Sequence, residues 1–116
     1  MMLSPTLQVH FFKTATGVEP IRDWLRALDA VDRKIVGEDI KTVQYGWPLG
    51  MPLVRKMAAH LWEVRITLPN RIARILFTVD AARMVLLHGF IKKSSQTPPD
   101  ELKIATARLK LFRSYL

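Results

Sequence analysis

The sequence predicts an α+β fold: an antiparallel sheet with a helical hairpin before it and a helix after it. Three observations carry that expectation. Between Leu61 and Ser94, three runs (LWEVRI, RIARILFTV and MVLLHGFIKKS) alternate with a period of two and are joined by short turns. Before them, two stretches between Pro20 and Tyr45 repeat their apolar residues with a helical period. After them, a Pro-started stretch does the same nearly to Leu116. Consecutive strands joined by short turns make an antiparallel sheet, and helices grouped before and after it rather than alternating with it make the fold α+β. With 116 residues there is enough chain for one core, and a single domain over 1–116 is expected.

The first strand is expected at Leu7–Phe12, where Leu7, Val9 and Phe11 alternate. A loop follows at Thr14–Gly17. Pro20 suits a first helical turn, because it has no N–H to leave unbonded. Ile21, Trp24, Leu25 and Leu28 then mark an amphipathic helix. Asp29 is a good N-cap for a second helix, and Asp32 favours its first turn. The second helix carries Val36, Ile40 and Val43 as its stripe, with Ile35 at the edge. It stops near Tyr45, where Gly46, Pro48, Gly50 and Pro52 interrupt. The close spacing of these helices predicts an antiparallel hairpin.

Leu53–Met57 is read as a short strand leading into the main three. In the first of the three, Trp62, Val64 and Ile66 share a face against Leu61, Glu63 and Arg65. In the second, Ala73, Ile75, Phe77 and Val79 oppose Ile72, Arg74, Leu76 and Thr78. In the third, strict alternation puts Val85, Leu87, Gly89 and Ile91 against Met84, Leu86, His88, Phe90 and Lys92. Asn70 and Asp80–Arg83 are the turn signals. The last helix is expected to start with Thr97 as N-cap and Pro98 in the first turn. It should present Leu102, Ala105, Leu109, Phe112 and Leu116 on one face. The hairpin should cover one sheet face and leave the other partly open.

Hydrophobic residues make up 49% and charged residues 24%, the profile of a folded protein rather than a disordered one. Without cysteine there is no disulfide or thiolate metal site, which suits a cytoplasmic location. No run of 18 apolar residues exists to span a membrane, and no secretory signal opens the chain. Net charge is +8. From Arg55 to Lys93 there are eight basic residues against two acidic ones, so this segment holds +6 of it. A localised basic excess points to a polyanion partner, most often nucleic acid.

LWEVRI, then a basic strand with RILF, then LLHGFIKKSSQTPPDELKIATARL, resembles the HigB-like branch of the RelE/ParE toxin superfamily, of the phage-derived HigB/RelE type. The most specific piece is HGFIKKSSQTPPDEL. The resemblance implies a small RelE-like fold with a curved sheet. It implies a toxin of a type II toxin–antitoxin pair, a metal-independent endoribonuclease that cuts mRNA on the ribosome and inhibits translation. Its partners would be mRNA on the ribosome and a cognate antitoxin, of helix-turn-helix type, with no cofactor and no membrane. By position it makes Arg65, Arg74, His88 and Lys92 the catalytic candidates. The candidate RNA contacts are Lys56, Glu63, Arg71, Phe90 and Lys93. Glu63 and Arg65 fall in the family's ELR-like strand, but this chain has Trp62-Glu63-Val64-Arg65 where other branches place lysines or different acids, which leaves the general base open.

Metal-free RNA cleavage needs removal of the 2′-OH proton, positive charge on the phosphorane, and a donor for the leaving 5′ oxygen. Arg65, Arg74, Lys92 and Lys93 could supply the charge, arginine fitting phosphate with its planar fork. His88 is the natural proton carrier; alternatively it packs beside Leu86 and Phe90. Phe90 either stacks on a base or fills a half-buried strand. Glu63 either acts as base or pairs with Arg65 or Lys56, and pairing is the reading the residues favour. Trp24, Trp47 and Trp62 read as core. His10 and His60 lack metal-ligand spacing. Two other classes compete: a non-catalytic ParE-like gyrase inhibitor, and a plain nucleic-acid-binding module.

Overall fold

The computed structural model describes residues 4–92 and 96–116. The order is β1 (Gln8–Phe11), α1 (Pro20–Ala27), α2 (Ala30–Gly46), β2 (Val54–Ala58), β3 (Leu61–Leu68), β4 (Arg71–Asp80), β5 (Arg83–Lys92) and α3 (Pro99–Ser114). This is the expected α+β class. The strands form a five-stranded sheet in the order β1-β5-β4-β3-β2. Strands β2 to β5 are antiparallel neighbours, and β1 adds to the β5 edge in parallel, so the sheet is mixed.

Helices α1 and α2 pack on one face. Asp29 caps α2, its carboxylate accepting the Asp32 N–H at 2.8 Å. Asp32 is itself buried and pairs with Arg71 at the start of β4, which ties the helix start to the β3–β4 turn. Arg33 holds the two helices together. Its guanidinium donates to the Leu25, Arg26 and Leu28 carbonyls, at 3.2, 3.2 and 2.7 Å. Those carbonyls lie at the C-terminal end of α1, where a helix leaves acceptors over. The expected stripe of Val36, Ile40 and Val43 is buried with Ile21 and Leu28 against Val64, Ile66, Ala73, Ile75, Phe77, Met84 and Leu86. Trp47, Trp62 and Phe77 form an aromatic group within it, ring centres 5.1–6.2 Å apart.

Gly89 is a point of close approach between α1 and the sheet. A Cβ there would stand 2.7 Å from Cε3 of Trp24. No side chain larger than hydrogen fits without moving the indole.

The alternation in β5 is interrupted. Leu76 pairs with His88 and Phe77 with Leu86, so Leu87 is an extra residue in a bulge. The bulge corrects the strict alternation expected for this strand. Val85, Leu87, His88 and Phe90 turn toward α3, whereas Met84 and Leu86 join Gly89 and Ile91 on the hairpin side.

Helix α3 covers part of the second face. Ala105 and Leu109 are buried against Phe12, Leu61, Leu76, Val85, Leu87 and Phe90, with Leu102 and Phe112 packed beside them. Leu116, expected on this face, is exposed instead. The helix start also differs from expectation. Pro98 occupies the N-cap and Pro99 the first turn, while the Thr97 hydroxyl is used elsewhere. Among the described residues, no helix is long and apolar enough to cross a membrane.

Candidate nucleic-acid interface

Four adjacent strands each place a cation on the α3 side of the sheet. Arg55 on β2 lies opposite Glu63 on β3, and Arg65 lies opposite Arg74 on β4. Arg74 lies opposite Phe90 on β5, and Ile72 opposite Lys92. Cross-strand partners share a face, so Arg55, Glu63, Arg65, Arg74, His88, Phe90 and Lys92 all project from the face away from the hairpin. Arg55 and Arg65 are exposed and Lys92 is half-buried, outside the apolar cluster beneath α3. Their charges interact. Partial burial, then Arg74, Arg65 and Arg55 in turn, lowers the Lys92 ammonium from its ordinary 10.5. Burial and then Arg55 lower Arg74. A patch that holds like charges together against their repulsion is favourable ground for an anion.

Beneath the open cations lies a buried polar layer. The Arg74 guanidinium donates to Glu63, and their side chains are 6% and 1% exposed. Glu63 was expected to pair with Arg65 or Lys56. It pairs with Arg74 because β3 and β4 carry the two inward on the same face one step apart, while Arg65 reaches solvent. The second Glu63 oxygen accepts the Thr97 hydroxyl, which ties the approach to α3 onto the sheet. The Arg74 Nε is buried with no hydrogen-bond partner among the described residues.

His88 is equally engaged. Its Nε2 meets Glu101 of α3, and its Nδ1 lies 3.3 Å from the Arg108 guanidinium. A guanidinium can only donate, so Nδ1 accepts and the ring proton sits on Nε2, facing Glu101. Arg108 also donates to the Leu87 carbonyl at 2.8 Å, the carbonyl of the bulged residue. Phe90 is buried, its ring stacked on His88 at 5.8 Å. His88 and Phe90 thus brace α3 against the sheet.

The other expected contacts lie elsewhere. Lys56 sits opposite Trp62 and places its ammonium 5.9 Å from that ring, on the hairpin side. Arg71 pairs with Asp32, also on that side. Lys93 falls outside the described residues. Sequence reasoning gave Arg55 no more than a backbone-electrostatic contact and Thr97 only a helix cap, and it passed over Arg108. The parity of Arg55 with Glu63 becomes readable only once β2 is a strand. Nothing local marks Arg108, because its partners are 20 and 21 residues away.

Residues 23–110, about three quarters of the chain, match the family described as Phage derived protein Gp49-like (DUF891). The chain belongs to that family. It is a toxin-like family of the RelE type, which agrees with the resemblance carried by the β3–β5 motifs at this coarser level. No curated protein matches the chain. In this Gp49-like protein the strand residues of the motif become one cationic face over a buried Glu63–Arg74 pair, a surface suited to a chain of phosphates.

Proposed function

We propose that this Gp49-like protein is the toxin of a toxin–antitoxin pair and cuts mRNA on the ribosome, without a metal, at the cationic face. The observation that carries this reading is the row Arg55–Arg65–Arg74–Lys92 contributed by four neighbouring strands. Arg55 and Arg65 bind the phosphates flanking the scissile bond. Arg74, buried and paired with Glu63, fixes β3 and β4 beneath them. The 2′-oxygen attacks phosphorus and its proton passes to water, while the P–O5′ bond breaks. Lys92, its acidity raised by partial burial and then by its cationic neighbours, gives its proton to the 5′ oxygen. Fixed cations stabilise the phosphorane between these events. His88, with both ring nitrogens bonded into α3, acts in this reading as a brace rather than the proton carrier.

Single-turnover cleavage of ribosome-bound mRNA tests it. Lys92→Gln should lose about 10²–10⁴-fold in the cleavage step with modest loss of binding. Arg65→Gln should weaken binding itself. The parent rate should fall as pH rises through the lowered Lys92 pKa, because only the ammonium form can donate, and Lys92→Gln should lack that fall. Growth arrest by a protein whose induction leaves RNA 5′ ends unchanged would sink the reading in favour of a gyrase-type inhibitor.

A further inference from the structure

The cationic face leaves unused a second concavity on the same side of the sheet. It lies at the far end of β5, under the last turn of α3, with a volume of about 550 Å³. That is the size of a small-ligand site. Phe12, Phe112 and Tyr115 give it aromatic walls, and His10, Lys13 and Arg83 give it basic groups, with no acidic side chain lining it. Phe12 and Val85 belong to the buried cluster, so the floor is rigid. Tyr115 is 54% exposed and Lys13 is exposed, so both reach the mouth. Arg83 is held at two points: its guanidinium bonds Asp80 and lies 5.5 Å from the Phe112 ring centre. One pair with Asp80 leaves further N–H donors on the fork.

Flat apolar walls beside cations suit a ligand with a planar ring and a negative group. We infer that this concavity is a nucleotide-binding subsite, in which a base stacks against Tyr115 and its phosphate meets Lys13 and Arg83. Arg83 and Lys92 are the two ends of β5, nine residues apart, so the subsite lies ~30 Å along the strand from the cationic face. A single strand of RNA several nucleotides long spans that distance. The inference does not rest on cleavage, since a nucleotide can be held here whether the distant face cuts RNA or does something else.

The probe is adenosine 5′-monophosphate, titrated into the full chain while backbone amide shifts are followed by NMR. Saturable shifts should centre on residues 10–15, 83, 112 and 115. Tyr115→Ala and Lys13→Gln, both at exposed positions, should each weaken binding roughly fivefold or more, and Lys34→Gln, exposed on α2, should leave it unchanged. Adenosine without the phosphate should bind less well than the monophosphate. A single-stranded RNA long enough to reach both sites should lose affinity in Tyr115→Ala if the subsite takes a unit of an RNA strand. An RNA affinity untouched by Tyr115→Ala, with monophosphate binding lost, assigns it to free nucleotides. Shifts confined to Arg55, Arg65 and Lys92 would overturn the subsite. So would monophosphate binding indifferent to both variants, or an Asp/Glu-rich peptide that occupies the concavity while the nucleotide does not.

Discussion

Glu63 and Arg74 are opposite charges withdrawn from water together, and their value to the fold depends on remaining together. Removing one partner strands the other. Glu63→Ala or Arg74→Ala should each cost about 3–5 kcal/mol in urea unfolding. Replacing both with apolar residues of similar volume, Glu63→Leu with Arg74→Met, should recover most of that loss. A double variant as unstable as the sum of the singles would mean that the pair is not a unit. The faces of Arg65, Arg74, His88 and Lys92 could be read from strand parity alone. Their bonding could not. Thr97 reaches Glu63 across 34 residues, and His88 reaches Glu101 across 13, distances that no local period encodes. So parity found the members of the cationic face without showing which are bonded and which face solvent.

Among the elements, β5 is the most constrained, touching β4 and β1 along its edges and both helical layers on its faces. Gly89 answers to α1. Gly89→Ala should cost about 1–3 kcal/mol in thermal or urea unfolding, because the added methyl meets the Trp24 ring. A smaller side chain at Trp24 should partly restore stability in the double variant. If Gly89→Ala alone unfolds at the parental midpoint, α1 is less closely seated than described. The helices and main strands were legible because each shows its period over two or more repeats. The Leu87 bulge was not. One extra residue shifts the phase in mid-strand, and the leucine suits either face. The α3 cap was misplaced by one residue because adjacent prolines, Pro98 and Pro99, both tolerate a first turn without an N–H to satisfy.

At the scale of the whole molecule, the +8 charge is distributed around the fold rather than gathered in one place. Lys56 and Arg71 turn to the hairpin side, while Arg55, Arg65, Arg74 and Lys92 share the other. Single-stranded RNA binding should therefore weaken with salt according to the latter group. Each phosphate neutralised contributes a slope of about −0.7 in log K against log salt. Arg65→Gln should make the slope shallower by about that amount, and Arg71→Gln should leave it nearly unchanged. Equal changes for both variants would place the RNA across both faces.

The parallel pairing of β1 with β5 has a consequence for how the chain comes into being. Residues 8–11 are made well before residues 83–86 and must wait for them before the sheet has its β1 edge. Closure over so long a separation is slow, because the entropy of the loop is lost before the contacts repay it. During synthesis, a chain stopped before β5 holds neither the α3 brace nor Lys92, so three cations of the row emerge before the fourth. The row is therefore complete only after β5 has been made. Ribosomes that abandon the message early release fragments in which the row is never assembled.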